Sequence, residues 1–181
     1  MRIIGGTHRG RVIHPPKGLE VRPTTDLAKE SLFNILNNRI DFEDIAVLDL
    51  FAGTGNISLE FASRGALKVI SVEKNHKNAA FIAKAAADFQ LLNVQVRKAD
   101  AYRFLGEYKL KFDVIFADPP YEMKETNTIP DKIFSLSLLN DEGWLIVEHD
   151  KTLNFTTHPR FTDERKYGKV HFSFFQCRLN E

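Results

Sequence analysis

The stretch that decides the fold is residues 47–59, VLDLFAGTGNISL. It reads as an apolar strand, then a turn that contains Gly53 and Gly55, then the start of a helical pattern. Glycines permit a tight bend and let a ligand approach the backbone, and the helix that follows begins with exposed amide groups. The stretch therefore predicts a nucleotide-type turn at the edge of an α/β sheet.

The same turn argues against a nicotinamide or flavin cofactor. The dinucleotide fingerprint needs a third glycine three positions after Gly55, where this chain has Ser58. Asp49, just before the turn, also fits poorly beside a pyrophosphate. An acid at that position suits a cationic ligand, such as one that carries an amino-acid ammonium.

Strand-like runs recur along the chain with room for a helix between each pair, which predicts βαβ units and a parallel sheet. Helical patterns at residues 25–37, 75–89 and 129–138 fit this arrangement. After position 150, two runs are joined at Gly168 too closely for a parallel crossover, so the sheet is expected to end in an antiparallel hairpin. The five parallel runs start near Ile45, Lys68, Val94, Phe112 and Gly143.

Acidic residues follow four of these runs, at positions Asp49, Glu73, Asp100 and Asp118. Ligands of open α/β sheets bind at the carboxyl ends of the strands, where such acids would meet. Glu73, eighteen positions after Gly55, is predicted to face ribose hydroxyls, and Asp100 an adenine amino group. A solvated strand end is the alternative for each acid taken singly.

The segment Asp118-Pro119-Pro120-Tyr121 ends the fourth run, FDVIFA. A carboxylate, two rigid prolines and an aromatic ring form a flat polar pocket that suits a planar amino group. The lone pair of an exocyclic base amine is delocalised, so acceptors that draw the nitrogen towards a tetrahedral geometry would make it a better nucleophile. Tyr121 could stack on the base. The competing interpretation is that the prolines only terminate a strand.

These motifs resemble those of class I S-adenosylmethionine-dependent methyltransferases. Residues 2–11, RIIGGTHRGR, with RPTTD at 22–26 and ESLFNIL at 30–36, narrow the resemblance to the bacterial 16S ribosomal RNA guanine-N2 methyltransferase family. His8 stands where that family often has a larger aromatic residue, and Lys29 where arginine is common. Lysine keeps the charge and loses the planar fork.

The resemblance implies a Rossmann-like, seven-stranded, mostly parallel sheet with an antiparallel last strand and a small amino-terminal β-hairpin arm. It implies an arm at 1–22 that binds RNA and a methyltransferase domain at 23–181. The cofactor contacts that it implies are Asp49, Phe51, Gly53, Thr54, Gly55, Asn56, Glu73, Lys74, Asp100, Ala101 and Thr24, and the catalytic segment is Asp118, Pro119, Pro120 and Tyr121.

The function implied is methyl transfer from S-adenosylmethionine to the N2 amine of a guanine in small-subunit ribosomal RNA, with the RNA as partner, within a small-subunit particle, and a monomeric enzyme. One alternative is a DNA adenine-N6 methyltransferase, which uses the same four-residue motif but has a separate recognition domain. Another is a non-catalytic RNA-binding or ribosome-assembly protein with a vestigial cofactor fold.

Composition agrees with one globular domain: 181 residues, 43% hydrophobic and 27% charged. No apolar run reaches transmembrane length, and the single cysteine, Cys177, excludes an internal disulfide, so a cytoplasmic location is expected. Cys177 is predicted to be a core residue. The six histidines are dispersed without paired spacing, which predicts no metal site.

The net charge is only +1, but the first 22 residues have a local balance of +4. A basic patch of this kind is typical of a phosphate contact. An ordinary solvated basic hairpin is the alternative. The predicted RNA contacts are Arg2, His8, Arg9, Arg11, Lys17 and Arg22.

Overall fold

A computed structural model describes residues 1–15, 19 and 25–177, in which seven strands form one sheet. The strands are β1 (Ala46–Asp49), β2 (Lys68–Glu73), β3 (Val94–Lys98), β4 (Phe112–Ala117), β5 (Leu139–His149), β6 (Phe161–Tyr167) and β7 (Val170–Gln176). The α-helices are α1 (Asp26–Leu36), α2 (Asn56–Ser63), α3 (His76–Asp88), α4 (Ala101–Glu107) and α5 (Ile129–Ser135), and short 3₁₀ helices span Gly6–His8 and Lys124–Thr128.

The strand order is β3-β2-β1-β4-β5-β7-β6. Strands β1 to β5 are parallel, and β7 is antiparallel to both β5 and β6. The predicted seven-stranded methyltransferase sheet is thus confirmed. The chain leaves β1 in one direction to build β2 and β3 and returns to build β4 on its other side, so a topological switch point lies between β1 and β4.

Helices cover both faces of the sheet. One hydrophobic cluster contains Leu32 and Phe33 of α1, Phe61 of α2, and Ala85 and Ala86 of α3. The other contains Phe104 of α4 and Ile133 of α5. The phenylalanines of β7 are fully buried, as expected for core residues. None of the helices in the described ranges is long and apolar enough to cross a membrane.

Three side chains fix where helices start next to the sheet edge. Thr25 accepts a hydrogen bond from the amide of Ala28 at the start of α1, and Asn75 and Asp100 cap α3 and α4 in the same way. Because α3 and α4 begin where β2 and β3 end, these caps set the conformation of the strand-to-helix turns.

The amino-terminal arm is described over residues 1–15 and 19 of the predicted 1–22, and residues 1–15 fold back with one antiparallel bridge, Arg2 to Val12, in place of a regular hairpin. A 3₁₀ helix occupies the turn. Gly6 has φ 74°, and a Cβ there would lie 1.8 Å from the carbonyl oxygen of Ser63, so the close contact of the arm with α2 requires glycine. Ile3 and Ile13 are buried in the core of the main sheet.

Candidate active site

A cavity of about 590 Å³ opens at the carboxyl ends of the parallel strands, at the switch point between β1 and β4. The structure brings the four strand-end acids, Asp49, Glu73, Asp100 and Asp118, into its lining. The remaining described residues predicted to contact cofactor or base also line it, except Gly55: Phe51, Gly53, Thr54, Asn56, Lys74, Ala101, Pro119, Pro120 and Tyr121. Thr24 lies outside the described residues.

The glycine turn forms one wall of the cavity. Gly53 and Gly55 have φ values of 55° and 79°, in the left-handed region that favours glycine. A Cβ on Gly55 would also lie 3.0 Å from the side chain of Ile82 in α3. The turn can therefore stay tight, with its backbone against the cavity, only with glycine at both positions.

Asp49 is a buried acid with unspent hydrogen-bonding capacity. Asp49 is only 1% exposed. Its Oδ2 accepts a hydrogen bond of 2.6 Å from the Ser58 hydroxyl, and the Ser58 oxygen accepts one from the Ser71 hydroxyl. Oδ1 has no hydrogen-bond partner. Burial raises the pKa of Asp49 to about 7, against the lowering effect of the Ser58 hydrogen bond, and the nearby Glu73 raises it further.

Asn78, which also lines the cavity, has a second buried oxygen without a partner. It lies in the first turn of α3, is 4% exposed, and its Oδ1 also lacks a partner. Among the described residues, Asp49 and Asn78 carry the two buried side-chain polar atoms in this condition, and both residues line the cavity. Buried acceptors are normally satisfied, so this pair indicates a missing ligand with hydrogen-bond donors.

Glu73 braces the turns around the cavity. Oε2 accepts a bond of 2.8 Å from the amide of Gly53, and Oε1 one of 2.7 Å from the amide of Asn75. Each carboxylate oxygen can accept a second bond, so the predicted contact with ribose hydroxyls remains chemically open. Glu73 thus has a structural role that the sequence did not predict, and its contact with ribose stays a prediction.

Both oxygens of Asp100 already have partners within the protein. Oδ1 accepts from the amides of Tyr102 and Arg103, and Oδ2 lies 3.2 Å from the Lys74 ammonium. Burial alone raises the pKa of Asp100, but the Arg103 amide and Lys74 outweigh it and lower the pKa. The contact of Asp100 with an adenine amine stays a prediction.

The segment 118–121 forms the opposite rim. Pro119 is buried, Asp118 is half-buried and Tyr121 is 37% exposed. The carbonyl of Pro120 accepts a bond of 2.9 Å from Met123, which holds the segment in a turn. A rigid, partly open rim of this kind can present a carboxylate and a ring to a second substrate.

A smaller cavity of about 200 Å³ lies directly beyond this rim. It shares Pro119, Tyr121 and Met123 with the large cavity and extends to His149 and Leu153. Two adjoining cavities that share Pro119 and Tyr121 provide space for two reactants side by side.

Sequence reasoning missed one acid at this edge. Glu148, near the carboxyl end of β5, lines both cavities. The rule that found Asp49, Glu73, Asp100 and Asp118, an acid at the end of a parallel strand, could have found Glu148 as well.

Sequence reasoning also missed a buried ion pair behind the glycine turn. Lys29 is fully buried and lies 3.3 Å from Glu60, and its ammonium donates to Asn56 Oδ1 at 2.8 Å and to the carbonyl of Arg2 at 2.5 Å. Lys29 therefore joins the arm to a residue that lines the cavity. No single local motif signals this network, because its members come from three segments.

The amino-terminal arm carries its basic side chains at the surface. Arg2, Arg9 and Arg11 are exposed, and His8 is half-buried, its ring stacked on Phe89 at a centroid distance of 5.7 Å. The Arg11 guanidinium lies 5.3 Å from the centre of the same ring. Lys17 and Arg22 lie outside the described residues.

These basic residues are not all near the cavity. Helix α3 starts at the cavity with Asn78 in its first turn, and its 13 residues rise about 1.5 Å each, which puts Phe89 about 20 Å away. His8 lies closer than that when measured along α2, because its amide donates to Ser63 Oγ at 3.0 Å, and Ser63 is seven residues, about 10 Å, from Asn56 in the cavity lining. Arg2 lies at the near end, since its carbonyl shares the Lys29 ammonium with Asn56.

The residues present fit S-adenosylmethionine. An amino-acid ammonium supplies the donors that Asp49 and Asn78 lack, and the spare lone pairs of Glu73 suit hydroxyl groups. A volume of about 590 Å³ lies within the range of small-molecule sites.

Comparison with known proteins agrees with this geometry. The family model described as conserved hypothetical protein 95 matches residues 1–176. A putative rRNA methyltransferase, YlbH of Bacillus subtilis, is 34% identical over 155 residues, 83% of each chain. Ribosomal RNA small subunit methyltransferase D of Escherichia coli K12 is 35% identical over 151 residues, 82% of this chain and 71% of that protein.

A solved structure of the putative methyltransferase yhhF from Escherichia coli superimposes with a TM-score of 0.85, at 28% identity and 97% coverage of both chains. Since the family model covers nearly the whole chain and relatives at 34% and 35% identity cover most of it, this protein belongs to the conserved hypothetical protein 95 family and is a class I methyltransferase related to ribosomal RNA small subunit methyltransferase D.

Proposed function

We propose that the protein transfers a methyl group from S-adenosylmethionine to the N2 amine of a guanine in small-subunit ribosomal RNA. The observation that carries the proposal is that Asp118-Pro119-Pro120-Tyr121 lines the large cavity, while Pro119 and Tyr121 also line the smaller cavity next to it. The large cavity holds the cofactor against Asp49 and Glu73. The smaller one, beyond Tyr121, receives the target base after it is flipped out of the RNA.

S-adenosylmethionine supplies an electrophilic methyl group on a sulfonium. The carboxylate of Asp118 accepts a hydrogen bond from the base amine and orients its nitrogen towards the cofactor. Positive charge develops on that nitrogen as the new N–C bond forms and the S–C bond breaks, and the same carboxylate stabilises it. The proton then leaves the nitrogen to Asp118 or to water, so no covalent enzyme intermediate is needed.

Positioning accounts for much of the rate. Pro119 and Pro120 limit backbone freedom, and Tyr121 stacks on the base, which contributes about 1 to 3 kcal/mol. Well-oriented reactants gain on the order of 7 to 11 kcal/mol over the reaction in solution. Both relatives named above carry ribosomal RNA methyltransferase in their names, which supports RNA over DNA as the substrate class.

The test supplies the purified chain with methyl-labelled cofactor and four samples: small-subunit particles, naked small-subunit RNA, duplex DNA and no nucleic acid. We expect label in ribosomal RNA, on particles, naked RNA or both, and mass spectrometry of the nucleosides should identify N2-methylguanosine. Label in DNA as N6-methyladenine would replace this proposal with the adenine alternative. No label on any sample, from a protein that binds the cofactor, would favour a non-catalytic assembly protein.

A further inference from the structure

Two histidines and a glutamate meet where β5, β7 and β6 lie side by side, and one of them, His149, also lines the smaller cavity. His149 ends β5, His171 is the second residue of β7, and Glu164 lies in the middle of β6. His149 pairs with His171 across the antiparallel strands, and Glu164 pairs with Ser173, two residues further along β7. All four side chains therefore lie on one face of the sheet.

The distances between the nitrogen and oxygen atoms of these three side chains are close to those between the ligands of a bound metal ion. His149 Nε2 lies 3.8 Å from Glu164 Oε2, and His171 Nδ1 lies 3.4 Å from Glu164 Oε1. One ligand atom from each residue lies within 4.8 Å of the other two. Bonds of about 2.0 to 2.2 Å to a tetrahedral zinc ion separate its ligand atoms by roughly 3.3 to 3.5 Å, so only small side-chain shifts are needed.

The tautomer of His149 suits a ligand. Its Nδ1 lies 2.7 Å from the carbonyl oxygen of Asp150, which can only accept, so Nδ1 carries the proton. Nε2 therefore presents its lone pair towards the cluster, where it accepts from the Ser173 hydroxyl at 2.8 Å. Metal-binding histidines commonly donate their second nitrogen to a backbone carbonyl in this way.

The surroundings favour a cation that can be desolvated. The His149 side chain is fully buried, and those of His171 and Glu164 are 10% and 17% exposed. Lys166 Nζ lies 3.0 Å from Glu164 Oε1 and competes for that oxygen, but its side chain is 65% exposed and can turn into solvent. Two imidazoles and a carboxylate select zinc or a similar transition ion, because magnesium prefers an all-oxygen shell.

We propose that His149, Glu164 and His171 bind one zinc ion, with water in the fourth position. The ion would fasten the end of β5 to the β6–β7 hairpin. His149 also lines the smaller cavity, and its neighbour Glu148 lines both cavities, so the ion would hold the rim of the base pocket in place. The dispersed histidines gave no sign of this site in the sequence, because three strands bring its ligands together.

The test uses untagged full-length protein, stripped of metal by a chelator and titrated with zinc chloride by calorimetry. His171→Ala and Glu164→Gln each remove a ligand near the surface. His76→Ala, at the exposed start of α3, is the control for adventitious binding to a surface histidine. Circular dichroism and melting temperature of the metal-free variants show whether they fold.

We expect one equivalent of zinc on the wild type and on His76→Ala, with affinity at least about 10- to 100-fold weaker in the two ligand variants. Zinc should raise the melting temperature of the wild type, and magnesium should not. Ser173→Ala keeps all three ligands and should still bind zinc. Failure of the wild type to take up zinc, or equal affinity in folded His171→Ala, would overturn the proposal.

Discussion

Two buried carboxylates contact helix α2 and differ in their hydrogen-bond partners: Glu60, within the helix, and Asp49, at the end of β1. Glu60, behind the arm, is fully buried, and it receives Lys29 at 3.3 Å, Arg64 at 2.9 Å and the Ile4 amide at 2.9 Å. Asp49, which contacts the start of α2 through Ser58, has that hydroxyl and one oxygen with no partner.

The difference separates a structural acid from one that awaits a ligand. A buried charge must be paired or must give up its charge, and Glu60 follows the first course. Asp49 accepts a hydrogen bond from Ser58, and burial raises its pKa to about 7, so it is only partly charged near neutral pH. A buried acid in a cavity that has an oxygen without a hydrogen-bond donor is the better candidate for ligand binding. A purely structural acid would be more stable with all its hydrogen bonds made.

Loss of Lys29, one of the two cationic partners of Glu60, should produce the largest change in stability. Lys29→Ala leaves the buried carboxylate with less compensation, and we expect the free energy of unfolding to fall by about 3 to 5 kcal/mol. Urea denaturation measures it. Lys84→Ala, which breaks the exposed pair with Asp88, is the matched control and should cost less than about 1 kcal/mol. Equal losses in the two variants would mean that the Lys29 network is not structural.

At the cavity the largest effect should be on catalysis. Asp118→Ala should lower the rate of methyl transfer by about 10²- to 10³-fold, by analogy with loss of one donor from an oxyanion hole. Cofactor affinity should change far less, because the proposed role of Asp118 is to orient the base amine. Single-turnover rates and calorimetry separate the two quantities, with Asp141→Ala, an exposed position on β5, as control. Turnover at the parent rate would remove Asp118 from the mechanism.

Glu73→Ala should weaken cofactor binding by roughly 2 to 4 kcal/mol, since it loses charge-assisted bonds to the ribose. The variant also frees the Gly53 and Asn75 amides, so part of the loss will come from the turn. Glu73→Gln keeps an acceptor for one amide, so its cofactor affinity should lie between those of the wild type and Glu73→Ala. Lys84→Ala, which removes only the exposed partner of Asp88 and lies outside the cavity lining, is the control. Unchanged affinity in folded Glu73→Ala would contradict the ribose assignment.

We expect Asp49 to make cofactor binding depend on pH. The unfolded chain loses this proton near pH 4, roughly, whereas the folded protein keeps it to about pH 7. Stability of the cofactor-free protein should therefore fall as pH rises through that window and level off above it. Cofactor affinity should move the other way, rising by up to about tenfold per pH unit below 7, because the ammonium needs the charged carboxylate. Asp49→Asn should flatten both curves in calorimetry and thermal melts.

Much of this site could be predicted because it follows from chain direction. Parallel strands end at one edge, so the acids after β1 to β4 meet there, and Gly53 and Gly55 mark the turn. The Lys29–Glu60 pair could not be predicted in this way. It depends on how α1 packs on α2, and neither residue stands in a pattern that indicates burial. The cap formed by Asp100 escaped for a related reason, since one carboxylate can serve a helix start or a ligand.

The smallest expected effect is on RNA binding by the amino-terminal arm. Arg2 lies near the cavity, whereas Arg11 contacts Phe89 beyond the far end of α3. Arg9 is exposed, whereas Arg11 stacks on Phe89, about 20 Å from the cavity end of α3. If RNA runs along α3 from the base pocket, replacing Arg9 and Arg11 by alanine should weaken RNA binding and leave cofactor binding intact. The slope of log affinity against log salt should flatten by about 0.7 to 0.9 per lost phosphate contact.

The single variants Arg9→Ala and Arg11→Ala separate a contribution to RNA binding from a contribution to stability. Arg11→Ala also removes a cation–π contact worth about 0.5 to 1 kcal/mol at an exposed site, so it should lower the melting temperature slightly, whereas Arg9→Ala should not. A purely structural arm predicts lower stability in Arg11→Ala with the parent salt slope in both. An unchanged slope in the stable double variant would move the RNA surface away from the far end of the arm, towards Arg2 and the cavity rim.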